Sequence, residues 1–145
     1  MEIREARVED LEGVLALYAY LKPGETFAVD ERTAAAWAEI LRTEKHHVLL
    51  GIMDGQAVSS CVVSIVANLT HGQRPYALVE NVVTHGGFRN KGYATAMLDA
   101  AKALAAGENC YKLMLMSSSK QDSTLNFYRK AGYNSEDKTA FVQWL

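Results

Sequence analysis

The 145 residues carry 15 Lys and Arg against 17 Asp and Glu, a formal net charge of −2 with the basic residues dispersed, so no nucleic-acid partner is expected. Hydrophobic residues make up 49 % of the chain, but they come in short blocks and none approaches the length of a bilayer span, so no membrane partner is expected either. A chain of this length can bury a sizeable core without disulfides or structural metal, and we read one domain over residues 1–145.

Charges begin at Glu2, and the first residues lack the apolar stretch of a secretory signal, so a cytoplasmic location is the default expectation. Cys61 and Cys110 sit in apolar surroundings without metal or redox spacing, which predicts buried free thiols and no metal site.

Ile3 to Ala6 reads as a first strand. Asp10 then precedes Leu11, Val14, Leu15, Tyr18 and Leu21 at helical spacing, and a second helix is predicted after Asp30, through Trp37 and Leu41. His47 to Met53 and Ala57 to Val66 flank Asp54-Gly55, the best hairpin signal in the chain. After the polar loop 68–75, Tyr76 to Thr84 is β-branched and predicts the central strand. Gly86 and Gly87 start a turn into a helical stripe from Ala94 to Ala105, which Gly107 ends. Tyr111 to Met116 predicts a buried strand, Ser123 to Lys130 a short helix stopped by Gly132, and Ala140 to Leu145 a last strand. The expected fold is α/β (α+β): a mixed, mostly antiparallel sheet flanked by helices, in the order β-α-α-β-β-β-α-β-α-β.

The strongest local feature is the run Val82 to Thr95, where a strand feeds a glycine-bearing turn that opens into a helix. The first amides of a helix lack intrahelical partners and lie at the positive end of its dipole, so such a turn can cradle a phosphate. Arg89 and Lys91 add positive charge, and Gly92 and Ala94 keep the approach open. Neither the P-loop nor the dinucleotide glycine pattern occurs. Taken alone, Gly86, Gly87 and Gly92 could also simply punctuate a strand-helix connection.

Arg89-Asn90-Lys91-Gly92-Tyr93-Ala94 resembles the signature of the GNAT superfamily of acyl-CoA N-acyltransferases: Gln or Arg, two free positions, Gly, one free position, then Gly or Ala. The segment from Leu125 to Tyr133, with Asn126, Tyr128, Ala131 and Gly132, is similar to the family's late motif, and the predicted element order is that of the family. The resemblance implies acetyl-CoA as acyl donor and an acetyl group transferred to a primary amine in a ternary complex. It implies that the backbone of Val82, Val83 and Thr84 pairs with the pantetheine arm and that Asn90, Lys91, Gly92, Tyr93, Ala94 and Thr95 hold the pyrophosphate, with Arg89 contributing its side chain. Asn126 matches a position that contacts the cofactor arm, and Tyr128 the acid that protonates the leaving thiolate, although Asn126 could be an ordinary exposed helix residue and Tyr128 also packs. The amide of Val83 is a candidate oxyanion donor.

A protonated amine must lose a proton before it can attack, and Glu80, just before the pantetheine segment, is the candidate base, with His85 and the His46-His47 pair as lesser alternatives. Asn90 stands where many members have Gly, and Gly86-Gly87 replaces a commoner Pro-containing turn, which predicts a less rigid phosphate turn. The acceptor, a small-molecule or peptide amine, is expected to meet the first two helices, the loop 68–75 and the final strands, with Arg74, His71, Trp37 and Tyr76 as unassigned candidates. Pairing of the last strands leaves a homodimer open. The alternative function is an acyl-CoA-binding regulatory module without catalysis.

Overall fold

In the computed structural model, which describes residues 1–145, β1 (Glu2–Glu5) leads through a 3₁₀ turn at Val8–Asp10 into α1 (Leu11–Leu21). Asp10 does not cap α1 with its side chain. Its carboxylate accepts two hydrogen bonds from Arg4, at 2.7 and 2.8 Å, and one from the Arg7 amide at 2.7 Å, which ties the end of β1 to the start of the helix. Asp30 does cap its helix: Oδ1 accepts from the Thr33 amide at 2.8 Å, fixing the start of α2 (Glu31–Arg42).

The hairpin forms as expected from β2 (His46–Met53) and β3 (Gln56–Val66). Asp54 and Gly55 take φ of 50° and 80°, the paired left-handed geometry that a two-residue hairpin turn favours. A single turn, α3 (Thr70–Gln73), precedes β4 (Tyr76–Thr84), which leads into α4 (Tyr93–Gly107). β5 (Leu113–Leu115) and α5 (Asp122–Lys130) follow, and Gly132, at φ 92°, ends the last helix.

The strands lie in one sheet in chain order, β1 to β4 antiparallel and β5 parallel to β4. Period-two alternation sorts the side chains onto two cores. Leu49, Cys61, Val63, Ala77 and Val79 face α4, where Met97, Leu98, Ala101 and Ala105 cover them. Val48, Leu50 and Val62 face the other way, against Val14 of α1 and Trp37 of α2. Cys61 is a buried free thiol as expected, pushed up to about 12 by burial, whereas Cys110 is only half-buried.

Two expectations are corrected. β5 is three residues rather than six, and the last strand does not form: residues 139–145 have no strand partner, leaving Phe141 and Trp144 about nine-tenths exposed. Apolar composition suggested a strand, but a strand requires a neighbour's ladder, and the bends after Gly132 do not bring this segment beside one. The element order is therefore β-α-α-β-β-β-α-β-α after the α3 turn is set aside.

The hydrogen bonds from Arg4, opposed by burial, hold the Asp10 carboxyl below its ordinary value of 3.8. The fold thus favours the charged form, so this stabilisation is present above 3.8 and is lost as the pH falls through the depressed folded value. Asp10→Asn should lower stability by about 1–2 kcal/mol at neutral pH. Urea midpoints of wild type and variant should converge as the pH is lowered.

Candidate active site

The centre of β4 is irregular. Val62 stands opposite Glu80 and Ser60 opposite Val83, so Asn81 and Val82 together face Cys61 as a β-bulge. Asn81 takes φ 51°, a left-handed conformation that Asn tolerates, and its Nδ2 donates to the Tyr18 hydroxyl at 3.4 Å. β5 pairs only with Ala77 to Val79, so from Glu80 onward that edge of β4 has no strand beside it.

The backbone direction of this open edge follows from one bond. The His85 amide donates to the Val58 carbonyl at 2.9 Å, toward β3. Alternation turns the Val83 amide the same way, so Val82 and Thr84 present their backbone groups to the opening. The Val83 amide thus points toward Ser60 of β3 rather than toward the opening. Arg89 reaches the same edge, Nε donating to the Thr84 carbonyl at 3.3 Å.

None of the seven backbone amides from Arg89 to Thr95 has an acceptor within the protein; the first helical bond of α4 runs from the Ala96 amide to the Gly92 carbonyl. Asn90 and Gly92 take φ of 59° and 81°, which folds this run into a concave row of donors at the positive end of α4. The donor set fits an anion with several oxygens. Lys91 folds back, Nζ donating to the Gly87 carbonyl at 3.1 Å and lying 5.0 Å from the Phe88 ring centre.

Gly86 and Gly87 lie in a 3₁₀ turn capped by His85, whose Nδ1 accepts from the Gly87 amide at 3.1 Å. In the neutral ring the proton therefore sits on Nε2, which is 3.0 Å from the Tyr20 hydroxyl of α1. Both ring nitrogens of His85 are thus engaged within the protein.

Glu80 and Asn81 are exposed at the mouth of a cavity of about 240 Å³ between α1, α2 and strands β2 to β4. Leu15, Tyr18, Trp37 and Ile40 form its helical wall, and His46, Val62 and Ser64 its floor. His46 Nδ1 lies 2.9 Å from Ser64 Oγ, and burial, then the neighbouring His47, holds its ring below the ordinary value of 6.5, so it is uncharged at neutral pH. Of the four unassigned acceptor candidates only Trp37 is in this cavity, 5 % exposed, with Nε1 donating to the Val8 carbonyl at 3.2 Å. Arg74, His71 and Tyr76 form a separate cluster at the start of β4: Arg74 bonds the Asn109 and Cys110 carbonyls, and His71 stacks on Tyr111 at 3.8 Å.

Tyr128 lies on α5 against the α4-side core, 5.0 Å from Phe127 and 6.1 Å from Tyr133 between ring centres. Its hydroxyl is raised above its ordinary value of 10.0, first by burial and then by the charge of Glu80, so it keeps its proton at neutral pH. Asn126 is exposed and its Oδ1 accepts from Arg129 at 3.1 Å. His46 and Asn81 were weakly marked in the sequence; only the Asn at the centre of a β-branched strand hinted at the bulge.

The acetyltransferase (GNAT) family profile matches residues 14–133, and the chain belongs to that family of acyl-CoA-dependent acetyltransferases. It is 30 % identical over 84 residues to a glucosamine 6-phosphate N-acetyltransferase of Trypanosoma brucei brucei. That alignment covers 58 % of this chain and 55 % of the relative, little more than half its length. A provisionally assigned acetyltransferase of Agrobacterium tumefaciens strain C58 superimposes with a TM-score of 0.94 at 30 % identity, covering 99 % of this chain and 100 % of that one. An aminoglycoside acetyltransferase from an uncultured soil sample, solved with sisomicin, shares the fold at a TM-score of 0.84 and 12 % identity, with 99 % and 95 % covered.

A Cβ added at Gly92 would meet nothing within 4 Å, so a small substitution there is opposed by the left-handed backbone alone. Gly92→Ala should fold and lose about 1 kcal/mol, whereas Lys91→Ala should change urea stability by less than about 0.5 kcal/mol.

Proposed function

We propose that the chain is one N-acetyltransferase domain over residues 1–145 that transfers an acetyl group from acetyl-CoA to a primary amine, with both substrates bound together. What supports this reading is the unpaired edge of β4 beyond Val79 together with the seven amides from Arg89 to Thr95 that have no acceptor in the protein, with Tyr128 near enough to Glu80 to feel its charge. On this reading the pyrophosphate lies on the amides of Asn90 to Thr95 with Arg89 beside it. The pantetheine amides pair with Val82 and Thr84, while Val83 between them holds β4 to Ser60 of β3 and Asn126 borders the arm.

Acetyl-CoA supplies a thioester whose carbonyl carbon accepts the amine nitrogen, the C–S bond breaking as the C–N bond forms. Glu80, directly or through one water, takes the proton that an ammonium group must lose before its nitrogen lone pair is free. The amides at the open edge of β4, Val82 and Thr84, are the donors that can meet the carbonyl oxygen as its charge grows. Tyr128 gives its phenolic proton to the departing sulfur and recovers one from solvent. Overall an ammonium and a thioester become an amide, a thiol and one released proton.

Acetyl-CoA at about 100 times its Kd should raise the melting temperature by roughly 5 °C or more, and Gly92→Trp should abolish the shift. Tyr128→Phe should keep the shift but lower kcat on the order of 10²-fold. Glu80→Gln should show a loss that shrinks as the pH rises and more of the amine is already neutral. Stabilisation by acetyl-CoA without thiol release from any amine would overturn the catalytic reading.

A further inference from the structure

We infer that the acceptor is a small amine carried on an uncharged apolar body, alkyl or aryl, which fills the cavity between α1, α2 and strands β2 to β4 and leaves its nitrogen at Glu80. The inference rests on the transferase reading above and names the substrate class of that same site.

The shape of the cavity sets the body. Leu15, Trp37, Ile40 and Val62 give it apolar walls, and its volume is about 240 Å³. That suits a single ring or short chain rather than an oligosaccharide. Its polar lining is Glu80 and Asn81 at the mouth, the Tyr18 hydroxyl, Thr33, and the uncharged His46, whose Nδ1 lies against Ser64 Oγ and whose Nε2 makes no hydrogen bond with the protein. One ammonium therefore finds one carboxylate and, in the tautomer that donates Nδ1–H to Ser64, the neutral His46 as acceptor, while most of the lining around the rest of the ligand is hydrophobic.

The charge balance excludes the acceptors named for the relatives. No Lys or Arg lines the cavity, so the phosphate of glucosamine 6-phosphate would be stripped of water with no cation to receive it. An aminoglycoside carries several ammonium groups, and Glu80 is the single carboxylate here. The more open hollow beyond Ala36 carries Arg32 together with Asp30, so it offers no net positive charge either.

The test measures thiol release from acetyl-CoA with phenethylamine, hexylamine, glucosamine 6-phosphate, an aminoglycoside and spermidine. It is repeated with Ala36→Trp, an exposed α2 position on the cavity wall where a large side chain fills the space without disturbing the core. The expected result is a kcat/KM for the two apolar amines at least roughly tenfold above the others. Ala36→Trp should raise the KM of those amines by a similar factor and leave the acetyl-CoA thermal shift unchanged. Preference for the sugar phosphate, the aminoglycoside or the polyamine overturns the inference and leaves the transferase reading standing. So does an apolar-amine KM indifferent to Ala36→Trp. Stabilisation by acetyl-CoA with no amine consumed overturns this inference together with catalysis, and no stabilisation by acetyl-CoA overturns the cofactor site itself.

Discussion

The left-handed backbone at Asn81 is the constraint on which the rest of the site depends. A non-glycine residue at positive φ inside a strand is ordinarily unfavourable, and the cost is lowest for Asn, whose side chain here also reaches the Tyr18 hydroxyl. The extra residue displaces the register of β4 against β3, and β5 has already left the strand on its other side. Glu80, opposite Val62, faces the cavity on the α1 side, and beyond it Val82 and Thr84 present backbone groups along an edge with no strand beside it. A regular strand continuing in register beside β5 would have closed that edge with its own hydrogen bonds.

The two cores divide the work. The α4-side core fixes the helix whose first turn carries the free amides, and it seats α5 and therefore Tyr128. The opposite core is smaller and incomplete: Val14, Trp37, Val48, Leu50 and Val62 pack together but leave space beside them. The larger core is closed by helices on the sheet, whereas α2 meets the sheet chiefly over β2. The free amides of α4 and the cavity beside Trp37 thus belong to opposite faces of one sheet, with the interrupted part of β4 between them.

Much of this was legible in the sequence because it depends on local chemistry. Asp54-Gly55 specifies its turn, Gly107 and Gly132 end their helices, and the run from Arg89 to Ala94 leads, with Asn90 and Gly92 at positive φ, into α4. What the sequence did not reveal depends on partners distant in the chain. Ala140 to Leu145 has the composition of a strand, yet no ladder lies beside it. Arg74 could have been an anion receptor on composition alone, but its guanidinium is occupied by the carbonyls of Asn109 and Cys110. The role of His85 depends on Tyr20, 65 residues earlier. The bulge follows from a register shift that no single-strand pattern encodes.

The chain holds two tryptophans, and the fold has placed them in opposite environments. Trp37 is enclosed on the cavity wall with its indole N–H bonded to a backbone carbonyl, whereas Trp144 stands 90 % exposed on the unpaired tail. Their emission therefore separates without labelling: a water-soluble quencher silences Trp144 first, and the blue-shifted light that remains comes from a ring in the wall of the cavity between α1, α2 and the sheet. Entry of any molecule into that space is thus observable directly by fluorescence, independently of turnover.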